Sequence, residues 1–189
     1  MPRRSVKLDS DPRDLFLEIW TANQQMNQLI LADLDPRAWR AKLPGRNVRT
    51  IAAIFTHVHN IRRKWLRLSA PHLKLPKELD RASATQKQVQ AAFAESAKRC
   101  SEMLADALAT TPARVTKFRR DGWAPSWPAG PTMLVYMFAH EAHHRGQILL
   151  LAHQLGFPLP AAYRIWNWEK LWKQCGLNLA RGERAEKRR

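Results

Sequence analysis

Apolar residues along the chain recur at helical rather than strand spacing. Asp11-Pro12 sets a capping side chain before a proline whose fixed φ and missing N–H suit a first helical turn. Leu15, Ile19, Met26, Leu29 and Ile30 then share one face, which predicts a helix over residues 12–32. Asp35-Pro36 and Pro44-Gly45 break the chain, and Asn47 or Thr50 can cap a second helix. There Ile51, Ile54, Phe55, Val58, Ile61, Trp65 and Leu68 repeat at helical intervals until Ala70-Pro71. Thr85-Gln86-Lys87-Gln88 reads as a capping box opening a third helix over residues 86–109, with Val89, Phe93, Ala97, Cys100, Leu104 and Leu108 as its stripe. Pro131 opens a fourth helix to residue 155, and Gly156 stands where a left-handed cap belongs. The aromatic-rich residues 163–175 predict a shorter fifth helix.

These elements predict an all-α fold: a four-helix bundle with long crossover loops and a short extra C-terminal helix. Residues 1–10 are expected to be flexible, residues 11–178 to form a single domain, and residues 179–189 to be a basic, disordered tail. Residues 110–130 carry Pro112, Pro125, Pro128, Gly122 and Gly130 among Phe118, Trp123 and Trp127. A loop of this length is either a lid over a pocket or a crossover packed on the bundle.

Composition narrows the function classes. With 189 residues and 45% hydrophobic positions, the chain can bury one continuous core. No apolar run approaches the ~20 residues of a membrane span. The polar N-terminus lacks a signal-peptide pattern, which leads us to expect a cytoplasmic protein. Cys100 and Cys175 lie too far apart in a cysteine-poor chain to suggest a disulfide framework, and both read as core hydrophobes. The net charge of +16 is compatible with nucleic acid, an anionic surface or an acidic small molecule. The charge is spread along the chain, however. Its densest pieces are Arg62-Arg63-Lys64, Arg119-Arg120 and residues 181–189, and none is interleaved with aromatics. A solvated basic face is the expectation, and a nucleic-acid partner is disfavoured.

The fourth helix carries the chemistry. Its stripe runs Met133, Met137, His140, His144, Ile148, Leu151, Leu155, so that two histidines occupy consecutive inward positions. At ~100° per residue, His144 falls near the stripe's centre, His140 roughly 40° away, and His143 roughly 100° off on the flank. Imidazoles at i and i+4 can converge on one ion. The alternative is a hydrogen-bonded pair of core histidines, since unsatisfied ones are costly. A third ligand would come from the second helix. There the stripe does not choose between His57 and His59, which lie roughly 90–110° from its centre on opposite flanks. His72, in a linker, and His153, on the far side of the fourth helix, read as surface residues.

Residues 136–147, YMFAHEAHHRGQ, resemble the last-helix motif of the DinB/YfiT-like family, an H-x3-H running into H-R-G-Q. Residues 50–65, TIAAIFTHVHNIRRKW, resemble its second-helix motif, in which a Ser or Thr opens the helix and a His follows seven residues later. The resemblance spans residues 11–155 and implies a bundle, often a dimer, that binds one divalent metal such as zinc or nickel. It also implies the ligands: counting from Thr50, the match falls on His57, with His140 and His144 completing the set. Arg145, Gly146 and Gln147 match the trailing motif. Arg145 would bind an anionic group or pair with a carboxylate, and Gln147 would orient its neighbours. Glu141 and Asn60 adjoin ligands in sequence, and Tyr136 precedes His140 by one turn. Arg145, Tyr136 and Glu141 are therefore the candidates for catalytic roles.

Three protein ligands leave a position open, as in catalytic rather than structural sites. The family includes hydrolases and low-molecular-weight thiol transferases. The expected function is a metal-dependent enzyme of one of these kinds, acting on a small anionic or thiol substrate. A non-catalytic metal-binding or stress-response protein and a basic nucleic-acid-binding protein are the alternatives.

Overall fold

Each of the first three helices starts where a side chain can serve otherwise unpaired N–H groups. The Asp11 carboxylate accepts from Arg13 N (2.9 Å), and Thr50, not Asn47, caps the second helix through Ala53 N (3.1 Å). Thr85 and Gln88 form the reciprocal capping box. The computed structural model describes residues 11–45, 48–109 and 131–160. Within them lie α1 (Pro12–Asp33), a 3-10 turn (Pro36–Ala38), α2 (Ile51–Ser69), α3 (Gln86–Leu108) and α4 (Pro131–Gln154), and no strand. The expected fifth helix, the aromatic segment of residues 110–130 and both terminal segments lie outside the described residues. At the end of α4, Gly156 takes φ +82°, the left-handed conformation that costs glycine least.

The principal contacts run α1–α3, α3–α2, α2–α4 and α4–α1. The helices thus close a ring in which α1 and α2 stand on one diagonal, and α3 and α4 on the other. Paired residues give the directions. Gln28 Nε2 reaches Gln90 O (3.2 Å) while Trp20 Nε1 reaches Ala97 O (3.3 Å), so α1 and α3 are antiparallel. Phe55 packs on Phe93, while Trp65 and Leu66 join Cys100 and Leu104, so α2 and α3 run parallel.

A parallel pair needs a link that returns the full length of the helix, about 28 Å for 19 residues. Residues 70–85 make that return along α2, held by side-chain bonds to their backbone. Arg63 Nε donates to Pro76 O (2.7 Å), His59 Nε2 lies 2.9 Å from Lys77 O, and the Asn60 amide both donates to Leu79 O (2.8 Å) and accepts from Leu79 N (3.2 Å). At its far end Gln86 Nε2 donates to Leu31 O (2.7 Å) and Leu34 O (3.1 Å), covering carbonyls that α1 leaves open at its C-terminus.

Among the described residues the core has two large apolar parts and a small third one at Ala22 and Met26. One large part gathers around Ile30, Leu31, Ile51, Phe55, Phe93 and Ile148, the other around Trp20, Trp65, Leu66, Cys100 and Met137. Burial pushes the Cys100 thiol up to about 12, which leaves it an inert core group.

Asn23, Gln24, Asn27, Arg62, Ser96, Glu141 and Arg145 are also buried, and hydrogen bonds join them into one polar network. Arg62 does not belong to a solvated basic face: its side chain is 0% exposed, and Nε meets Glu141 Oε1 at 2.7 Å. The same guanidinium donates to Glu141 Oε2 (3.0 Å), Ser96 Oγ (3.1 Å), Phe93 O (3.3 Å) and Gln24 Oε1. Asn23, Asn27 and Gln24 amides add 2.8, 2.8 and 3.2 Å bonds to Glu141 Oε2. Burial raises the pKa of the Glu141 carboxyl, but the charge of Arg62, its hydrogen bonds and the charge of Arg145 outweigh burial and hold it below the ordinary carboxylate value.

Glu141→Gln would leave the Arg62 charge buried without a counter-ion. The expected loss is about 3–5 kcal/mol of unfolding free energy, the range for breaking a buried pair from one side. Urea unfolding at pH 7 measures it; a change below about 1 kcal/mol would show that the network does not carry the bundle.

Candidate metal centre

Helices α2 and α4 run antiparallel, as the pairing of Trp65 with Tyr136 and of His57 with His144 shows. His140 and His144 lie on successive turns of α4 and meet His57 from α2. Ring centroids are 5.4 Å apart for His57–His140, 5.0 Å for His57–His144 and 4.5 Å for His140–His144. One nitrogen from each lies within 4.8 Å of the others. Trp65 and Tyr136 wall the cluster, each with its ring 5.7 Å from that of His140.

The electrostatics favour neutral imidazoles. Burial, then the like charge of His144, Arg49, Arg81 and Lys64, lowers His57 to about 4. Burial and repulsion from His144 and His57 lower His140 to about 3. Burial lowers His144 as well, against a partly restoring bond to Gln147. All three are therefore uncharged at pH 7 and keep a lone pair for a Lewis acid.

Two local features bear on whether these residues suit a metal. His144 Nδ1 lies 2.7 Å from Gln147 Oε1, an oxygen that can only accept, so this bond puts the ring proton on Nδ1 and leaves Nε2 its lone pair. His140 Nδ1 is buried with no hydrogen-bond partner among the described residues. Such an orphan costs about 1–3 kcal/mol unless something binds it. Three uncharged imidazoles, one fixed by Gln147 and one with an orphaned nitrogen, fit a transition metal.

The structure separates the two α2 histidines that periodicity could not. His57 joins the cluster, whereas His59 is turned toward α3 and the return link, with Nδ1 3.2 Å from Ser96 Oγ and Nε2 2.9 Å from Lys77 O. His143 is exposed and lies 2.9 Å from the Gln147 amide nitrogen. His72 is exposed beside Asp106 (2.7 Å), and His153 is exposed. Asn60 is spent on Leu79 and does not reach His57.

The buried face of α4 differs from the expected stripe. It runs Met137, Glu141, His144, Arg145, Ile148, Leu151 and Ala152, so Glu141 and Arg145 point into the polar network. Arg145 Nη1 donates to Asn23 Oδ1 (2.5 Å) and Asn27 Oδ1 (3.1 Å). Gly146 is exposed, and an added Cβ there would meet nothing within 4 Å.

Sequence reasoning overlooked Arg81, whose Nη2 lies 3.5 Å from His57 Nδ1. It sits on a link without periodicity, so no pattern could assign it. Arg62 was detectable, since it stands four residues after Val58 and three before Trp65, on the inward face.

The model of the DinB family matches residues 5–174. A DinB-like protein from Bacillus cereus ATCC 10987 has a similar fold, with a TM-score of 0.59 and 20% sequence identity, covering 79% of this chain and 97% of that chain. At that identity the likeness concerns the fold. No curated protein matches.

The lowered histidines set a pH dependence in the metal-free protein. Below about 6.5 the unfolded chain takes up protons that folded His57 and His140 refuse until about 4 and 3. Stability should thus fall as pH drops from 7 to 5, ahead of carboxylate titration. Urea midpoints in chelator at the two pH values test this, and His57→Ala/His140→Ala should flatten the slope.

Proposed function

Because the chain belongs to the DinB family, we propose that it is a metal-dependent enzyme whose single divalent transition metal, zinc or nickel, is held by His57, His140 and His144. The observation that carries this reading is the convergence of three uncharged imidazoles, with one nitrogen of each within 4.8 Å of the others and one ring nitrogen buried without a partner among the described residues. The reaction class we assign is hydrolysis or transfer of a low-molecular-weight thiol to a small electrophile. A bound metal would lower the pKa of water or a thiol and polarise the group it attacks. Three protein ligands would leave room for it.

The chain's own residues then divide the work. Trp65 and Tyr136 exclude water from one flank of the cluster, and Tyr136 is our candidate for orienting substrate or moving a proton through its hydroxyl. Gln147 holds the ring of His144. Glu141 and Arg145 are engaged in the core, so we assign them to fixing α4 rather than to acid–base chemistry.

Elemental analysis of untagged protein, purified without a metal-affinity step, should find about one equivalent of transition metal per chain. His57→Ala/His144→Ala should lose it and keep its helical circular dichroism, because caps and apolar packing form the bundle without the ion. Chelation should abolish turnover in hydrolase and thiol-transfer screens. No metal in the wild type, even after soaking in zinc and nickel, would reduce the trio to a core polar cluster. Gln147→Leu should weaken metal affinity roughly 10–100-fold, the usual effect of removing the partner that orients a ligand histidine. An unchanged affinity would remove Gln147 from the site.

A further inference from the structure

One amide ties His144 to an exposed histidine outside the trio. Side chains on a helix lean toward its N-terminus, so Gln147, one turn beyond His143 and His144, reaches back over both. Its two amide atoms are divided between them. Gln147 Oε1 accepts from His144 Nδ1 (2.7 Å), and Gln147 Nε2 donates to His143 Nε2 (2.9 Å). His144 is 5% exposed, whereas Gln147 and His143 lie at the surface. The three side chains form a hydrogen-bonded line from solvent to the histidine cluster.

An amide gives this line a direction. Its oxygen only accepts and its NH2 only donates, whereas a neutral imidazole has one donor and one acceptor nitrogen. The orientation of the Gln147 amide therefore sets the tautomers of both rings together. As observed, His144 carries its proton on Nδ1 and keeps the Nε2 lone pair, while His143 turns a lone pair on Nε2 toward the NH2 group. Half a turn of the amide would present NH2 to His144 Nδ1. The ring proton would then sit on Nε2 and deny that nitrogen to a metal. Water at the surface serves either orientation, because it both donates and accepts. His143 instead supplies an acceptor of fixed position at the NH2 end. We propose that His143 is a positioning residue of the candidate metal centre: by accepting from Gln147 Nε2 it holds Oε1 toward His144 and keeps the His144 Nε2 lone pair available. The proposal rests on the three-histidine metal reading and adds to it a residue that acts on a ligand through Gln147.

Long-range proton–nitrogen correlation spectra of the nitrogen-15-labelled full chain, in chelator at pH 8, read the tautomers directly. Wild type is compared with His143→Phe, which keeps a ring and removes the acceptor, and with His143→Glu, whose carboxylate can only accept. The expected result is His144 held as Nδ1–H in the wild type and in His143→Glu. In His143→Phe it should become a mixture of Nδ1–H and Nε2–H, as the amide turns. Helicity should be equal in all three, since His143 is exposed. Zinc affinity, from competition with a chelator, should fall about threefold to tenfold in His143→Phe, less than the loss expected at Gln147 because the effect passes through one more bond. Three results would each overturn the positioning role and leave the metal reading standing: His144 as Nε2–H in the wild type, a tautomer or zinc affinity that His143→Phe leaves unchanged, or a His143→Glu tautomer that matches His143→Phe. A wild type that takes up no zinc removes both.

Discussion

The ion pair between Arg62 and Glu141 is the contact on which the arrangement of the helices depends. Both side chains are fully buried. Isolated charges in a core are strongly disfavoured, so each must find its partner and fill its remaining hydrogen bonds. Here α1 supplies Asn23, Gln24 and Asn27, α2 supplies Arg62, α3 supplies Ser96 and the Phe93 carbonyl, and α4 supplies Glu141. Any other register of one helix against the rest would leave a buried charge or amide unpaired. Apolar packing alone tolerates sliding far better, because Leu, Ile and Phe contacts have no direction.

That registry is what assembles the histidines. Glu141 follows His140 directly, and Arg62 stands five residues after His57. With Arg62 locked to Glu141, antiparallel α2 and α4 must bring His57 opposite the His140–His144 pair. A rotation of α4 by one residue, ~100°, would turn His144 out of the cluster. The buried pair thus acts on the site through geometry, while the Glu141 charge also partly offsets the lowering of His140 and His144.

The histidine trio combines uncharged imidazoles with a cationic neighbour, Arg81. Burial and neighbouring positive charge keep the imidazoles unprotonated, which suits metal binding. In this local field the net charge of +16 acquires a specific meaning. Part of it is spent inside, where Arg62 is fully buried against Glu141.

The sequence by itself determined the four described helices and most of their ends, because proline, capping hydroxyls and apolar periodicity act within a few residues of one another. It also determined His140 and His144 as a pair, since i and i+4 positions are neighbours on any helix. His57 was singled out by its likeness to a family motif, while periodicity left it level with His59. Only the tertiary structure decided that His59 turns to Ser96 and Lys77, that Arg62 is a core residue, and that Glu141 and Arg145 leave the histidine face for the polar network. It alone brought Arg81 to His57. The physical reason is common to all of these. A polar side chain's place depends on which partner the other helices present, and that partner lies tens of residues away along the chain, beyond the reach of local pattern.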